Sequence, residues 1–122
     1  MKLMRKTIAA AAAALLASAA FADVNVGVSL SLTGPGSGLG IPMNNYYAKV
    51  FPKTIGGEKV NLIIADDATD PGKGVANARR FVTDDKVDMI IGSAATPVGV
   101  AMADVAMEGQ TVQLAATPVG LP

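Results

Sequence analysis

The chain has 122 residues with no cysteine, histidine or tryptophan, and its ten basic residues are matched by ten acidic ones. That composition excludes a disulfide framework, a Cys/His zinc site and nucleophilic catalysis assisted by a histidine base, and it leaves no basic footprint for nucleic acid. Residues 1–22 read apart from the rest. Lys2, Arg5 and Lys6 make a basic start, Thr7 to Ala20 is an alanine-rich apolar run, and Ala20-Phe21-Ala22 fits a small-x-small cleavage site. This is the pattern of a secretory signal peptide removed before Asp23. The run is too short and too alanine-rich for a membrane anchor, and no cysteine follows it to carry a lipid. Residues 23–122 keep seven bases and ten acids, a net charge of −3, and suffice for one modest core in one domain or lobe.

Val24 to Leu32 alternates Val24, Val26, Val28, Leu30 and Leu32 with Asn25, Gly27, Ser29 and Ser31, which predicts a first strand. The small residues of its second side predict a helix packed close against them. Thr33 to Gly40 reads as a glycine-rich loop, Pro42 as the opening of a short helix, and Pro52 as its end. Ile55 to Lys59 reads as a turn. Val60 to Ala65 is the second strand, after which Asp70 is placed to cap a helix with Pro71 in its first turn, running to about Asp84. Val87 to Ile91 is a third strand, Pro97 to Glu108 a third helix that Gly109 is placed to stop, and Thr111 to Ala115 a fourth strand. Strands alternating with helices predict an α/β fold, a parallel sheet with helices on both faces.

Ligands of open α/β sheets collect beyond the carboxyl ends of the strands. Residues 33–40, 66–70, 92–96 and 116–118 reach that edge, and three of these four segments offer backbone groups and hydroxyls rather than catalytic side chains. The glycines of the first segment fail the G-x-G-x-x-G spacing at Leu39 or Ile41, and no Lys-Ser or Lys-Thr follows. Asp66, Asp67 and Asp70 do not have calcium-loop spacing and read as polar loop residues plus a helix cap. No G-x-S-x-G elbow is present. With no base, cofactor or metal expected, the chain reads as a binding protein and not an enzyme. The stretch Val87–Ala106 is the centre of that reading. Gly92 turns the chain, and a helix start near Pro97 would aim backbone N–H groups at a carboxylate or phosphate, with Ser93 and Thr96 adding hydroxyls. The same stretch also reads as an ordinary strand–helix connection capped by Thr96.

VNVGVSLSLTGPGSGLG (24–40), VNLIIADDATDPGKGVANARRFVTDDKVDMIIGS (60–93) and the AATP segment before the third helix resemble the leucine/isoleucine/valine-binding family, type I periplasmic solute-binding proteins of ABC importers. The resemblance spans essentially all of residues 23–122. It implies a periplasmic protein, a partial N-terminal lobe, a ligand that is an amino acid or related carboxylate, and a membrane permease as partner. It places Thr96 where the family grips the ligand carboxylate, Ala116 and Thr117 where backbone and hydroxyl groups receive the ligand, and Leu39, with Ser37 nearby, against the ligand side chain. Two features depart from the pattern: the first helix is short and interrupted by Pro52, and the second lobe that completes the family's cleft lies beyond these residues. Half a cleft is expected to bind weakly. A ligand-binding lobe of an exported sensor or regulator is the alternative reading.

Overall fold

The structure, a computed structural model, describes residues 22–117. The proposed signal peptide, except for Ala22, lies outside the described residues. Four strands and three helices alternate as expected: β1 (Val24–Leu30), α1 (Ser37–Val50), β2 (Thr54–Ile55), β3 (Glu58–Asp66), α2 (Pro71–Thr83), β4 (Met89–Gly92), α3 (Thr96–Glu108) and β5 (Val112–Leu114), with the two-residue β2 as an addition. The sheet runs β2-β3-β1-β4-β5. β1 is central, parallel to β3 in the register Val28↔Ile64 and to β4 in the register Val28↔Ile91. β5 is parallel to β4, while β2 pairs antiparallel with the start of β3.

The alternation of β1 builds two cores. Val26, Val28 and Leu30 are buried with Ile91 and Ala94 on one face, packed by Met43, Tyr47 and Phe51. On the other face α2 and α3 bury Ala78, Phe81, Val98, Met102, Val105 and Ala106 together with Ile90. The expected close packing on the small side of β1 is present: a Cβ on Gly27 would lie 2.7 Å from the Phe81 ring. Among the described residues only α1 covers the first face, and Val112 and Leu114 of β5 are exposed.

Three expectations change. First, α1 begins at Ser37, not at Pro42, so the second half of the glycine-rich segment is helical and Pro42 lies inside the helix. Pro42 costs α1 one backbone hydrogen bond. Packing offsets that cost, since Met43, Tyr47 and Phe51 reach the sheet and Gly40 is buried against the Ser31 backbone. α1 stops at Val50, and Phe51 before Pro52 is extended at φ −61° and ψ 134°, as the residue before a proline prefers. Second, the turn near Ile55–Lys59 is a two-residue hairpin. Gly56 and Gly57 take φ values of +61° and +87°, and this allows β2 to pair back on β3. Third, α3 does end at Gly109, but the left-handed residue is Gln110 at φ +51°, while Gly109 sits at φ −81°. Gly109 is needed for space, because a side chain there would meet Val82. The predicted start of α2 holds: Asp70 Oδ1 accepts the Lys73 N–H at 2.7 Å, and Pro71 opens the helix.

Candidate functional site

The chain leaves β1 toward α1 on one face of the sheet and leaves the neighbouring β4 toward α3 on the other. Between the carboxyl ends of β1 and β4 the connections therefore diverge, and this opens the crevice at which α/β sheets take ligands. Residues 31–36 and 92–95 form its two sides, with the β3–α2 and β5 ends as neighbours.

A carboxylate whose sequence pattern marks it only as a polar loop residue lies under this edge. Asp67 is fully buried. Its Oδ2 accepts the hydroxyls of Ser93 at 2.7 Å and Ser29 at 3.1 Å. Its Oδ1 accepts the Ser31 hydroxyl at 2.7 Å and the Thr69 N–H at 2.9 Å. Three strand ends thus meet at the Asp67 side chain: Ser29 in β1 and Ser31 just after it, Asp67 just after β3, and Ser93 just after β4. Asn77 of α2 joins by donating to Ser29 Oγ at 3.2 Å. Burial of a polar group is tolerable when it is hydrogen-bonded in this way.

Asp66 turns outward and ties the neighbouring loop. It accepts the Leu32 N–H at 2.9 Å, the Thr33 N–H at 3.2 Å, the Thr33 hydroxyl at 2.6 Å and the Ala68 N–H at 2.8 Å. Ala68 and Thr69 both hold positive φ, 51° and 61°, which is unfavourable for a β-branched residue such as Thr69. The Asp66 and Asp67 carboxylates hold them there, and the Thr69 hydroxyl accepts the Gly36 N–H at 2.8 Å. The 33–36 and 66–69 loops therefore behave as one unit. What burial there is pushes the Asp66 carboxyl up, but the Thr33 hydroxyl and the Ala68, Thr33 and Leu32 N–H groups together hold it below the ordinary range. A folded-state value below the unfolded one gives stability that is present above the unfolded value, about pH 4, and lost as pH falls through the folded value. Urea melts are expected to show wild type more stable than Asp66→Asn at pH 7, with the gap closing at pH 2–3. A gap of equal size at both pH values would refute the assignment.

The start of α3 differs from the expected fan of free N–H groups. The N-cap is Ala95, not Thr96, and it has no side-chain cap. The Ala95 N–H donates to Ser93 Oγ at 3.2 Å, Pro97 has no N–H, and the Val98 and Gly99 N–H groups donate to the Ala95 carbonyl at 3.1 and 3.0 Å. Thr96 is exposed and first in the helix, and among the described residues its N–H and hydroxyl have no hydrogen-bond partner. Gln113 of β5 braces the same turn, its Nε2 donating to the Gly92 carbonyl at 3.0 Å and the Gly99 carbonyl at 2.9 Å.

The six expected site residues all fall at the carboxyl edge, but not in equal standing. Thr96 is exposed, Leu39 is 62% exposed on the first turn of α1, and Ser37, Ala116 and Thr117 are half-buried. Ser93 is fully buried with its hydroxyl committed to Asp67, which places it beneath the edge and not on its exposed surface. Grooves lined by Tyr47, Phe51, Val60 and Leu62, and by Pro42, Met43 and Tyr46, lie away from this edge. Among the described residues the edge itself is an open wall.

A family model described as periplasmic binding protein matches residues 23–121. The chain belongs to that family. A search of curated proteins returns no match. Among solved structures, an extracellular ligand-binding receptor from Rhodopseudomonas palustris is 42% identical with a TM-score of 0.78, over 82% of this chain and 28% of the receptor. A solute-binding protein of an ABC transporter from Rhodopseudomonas palustris BisB5, in complex with 3,4-dihydroxybenzoic acid, is 28% identical with a TM-score of 0.71, over 76% of this chain and 26% of that one. The leucine-binding protein LivK of Thermotoga maritima MSB8 is 26% identical with a TM-score of 0.67, over 75% and 27%. The chain thus spans about a quarter of the length of each of these three proteins. The expected α/β architecture is the one they share.

Proposed function

We propose that this chain supplies the carboxylate-gripping wall of an extracytoplasmic solute-binding protein that serves an ABC importer, with a branched-chain or similar neutral amino acid, or a related small carboxylate, as ligand. The observation that carries this reading is Thr96. It is the exposed first residue of α3, its N–H and hydroxyl have no partner among the described residues, and it stands beside the crevice between β1 and β4. A helix start favours an anion there, and a hydroxyl adds direction. Leu39, Ser37, Ala116 and Thr117 supply the neutral surroundings that leave room for an apolar or uncharged side chain. The names of two relatives support the carboxylate: one is a leucine-binding protein, and the other is a complex with 3,4-dihydroxybenzoic acid. Residues 1–22 serve as the export signal, the permease is the partner, and the periplasm is the site of action.

An open wall binds weakly, with dissociation constants on the order of millimolar, because most of the ligand stays in water. Nuclear magnetic resonance titration of the 15N-labelled chain suits that range. Leucine or 3,4-dihydroxybenzoate is expected to shift the Thr96 amide, and Thr96→Ala is expected to weaken binding about tenfold or more, the worth of a hydrogen bond to a charged group. Absence of any shift at Thr96 with either probe, or unchanged affinity in the variant, would sink the proposal.

A further inference from the structure

We infer that Asp67 is a positioning residue for the candidate site: through Ser93 it fixes the Ala95–Thr96 turn, and with it the direction of the Thr96 donors. The chain of contacts is continuous. Asp67 Oδ2 accepts the Ser93 hydroxyl at 2.7 Å, Ser93 Oγ accepts the Ala95 N–H at 3.2 Å, and the Ala95 carbonyl accepts the first two intrahelical N–H groups of α3. Each group is held in one sense. The carboxylate offers acceptors only, so the Ser93 hydroxyl must donate to it, and the Ser93 lone pair must then face the Ala95 N–H. Remove the carboxylate's demand and the hydroxyl is free to rotate. The inference rests on the reading of Thr96 as the ligand donor, but its core, the hold of Asp67 on the α3 start, does not need a ligand to be tested.

The surroundings favour a directional role over a charge role. The four groups that donate to Asp67 are three hydroxyls and a backbone N–H, and no lysine or arginine is among them. Asn77, the α2 residue that reaches this cluster, contributes a neutral amide through Ser29. Asp66 and Asp70, on either side in the chain, are exposed. Hydroxyl bonds of 2.7 Å to a carboxylate are at the strong end for side chains, and the two shortest belong to Ser31 and Ser93. These two serines make the test possible. Each gives one hydroxyl to the same carboxylate, but only Ser93 continues to α3.

The experiment compares Asp67→Asn, Ser93→Ala and Ser31→Ala in the full chain. Three quantities are read: global stability by urea melting, amide hydrogen exchange at Ala95 and Gly99, and the Thr96 shift on titration with leucine and with 3,4-dihydroxybenzoate. Asp67→Asn is informative because it keeps Ser93 in place. Its amide nitrogen is expected to replace Oδ2, since at Oδ1 it would leave the Thr69 N–H without an acceptor. The expected result is that all three variants lose stability. Relative to global unfolding, Asp67→Asn and Ser93→Ala speed Ala95 and Gly99 exchange about tenfold, the scale of one lost hydrogen bond to a charged group. Ser31→Ala leaves both rates at the wild-type ratio. Probe affinity falls in the same two variants. Equal effects of Ser31→Ala and Ser93→Ala on the α3 start would overturn the inference, and so would wild-type exchange in Asp67→Asn. If Asp67→Asn does not fold, the two serine variants alone decide it. If wild type shows no probe shift at Thr96, the binding proposal fails while the exchange comparison still decides whether Asp67 positions the turn.

Discussion

Replacing Gly92 with alanine is expected to lower the melting midpoint by about 15 °C or more, the equivalent of roughly 3 kcal/mol in a domain of this size. Two costs combine. Gly92 sits at φ +130°, a conformation that residues with a Cβ rarely adopt, and such strain costs on the order of 1–3 kcal/mol. The added Cβ would also fall on the carbonyl oxygen of Ser29, its register partner on β1. β1 cannot move aside, because β3 holds it on its other edge. Overpacking against a fixed neighbour adds about 1–3 kcal/mol more. A chain of this length has a total of about 5–15 kcal/mol at best, and the thinly covered α1 face argues for the low end. Gly56→Ala is the control: its φ is +61° with nothing within 4 Å of the added Cβ, so it carries strain without collision. Thermal melts by circular dichroism should show Gly92→Ala far below Gly56→Ala. Equal midpoints would show that the collision is relieved and that the β1–β4 junction is softer than its register implies.

The junction also shows how far the sequence could be read. Apolar runs at Val60–Ala65 and Met89–Ile91, separated by a helix with Asp70 and Pro71 at its start, specify parallel strands and a crossover through local chemistry alone, and the structure has both. The helix on the small side of β1 was equally legible, because Gly27 and Ser29 have little to offer solvent and much to offer a close neighbour. The start of α1 was not. A glycine-rich run before a proline points to a loop by local propensity, and contacts with residues distant in sequence, such as Met43 and Tyr47 against β1, support the helix that begins back at Ser37.

The candidate site divides in the same way. Thr96 and the carboxyl edge follow from strand–helix alternation. Asp67 did not stand out, because Asp66 and Asp67 are chemically alike and adjacent. A signal was present in the strand phase: residues 63, 65 and 67 point to one side, and that is the side on which Ile63 and Ala65 pack against the α2–α3 core. Ser29 and Ser31 have the matching phase on β1. Carrying the alternation one residue past the end of β3 selects Asp67 as the inward acid and Asp66 as the outward one. The partner of the Ala95 N–H was not readable at all, since it depends on the Ser93 rotamer and hence on a carboxylate from another strand.

The second large effect is expected at the other end of the same core. Phe81→Ala should destabilise the chain by about 3–5 kcal/mol, as large-to-small changes at buried aromatics do. The upper part of that range applies for a local reason. Phe81 is fully buried, and its ring rests on Gly27, where β1 has no side chain that can relax into the space left behind. The guanidinium of Arg80, 5.3 Å from the ring centroid, loses its aromatic partner as well. Gly27→Ala alone should also destabilise, by about 1–3 kcal/mol, since its Cβ would lie 2.7 Å from the Phe81 ring. In the double variant the new methyl enters the space the ring vacated, so the two losses should not add. Urea unfolding of the four chains in the cycle measures this: a coupling of about 1 kcal/mol or more in the compensating direction is expected for residues in direct contact. Additive losses would mean that α2 shifts on β1 to accommodate either change. Because Asp70 caps α2 and the helix carries Asn77 into the Asp67 cluster, such a shift would move the 66–70 loop as well, and the Asp66 and Asp67 hydrogen bonds would then weaken in both single variants.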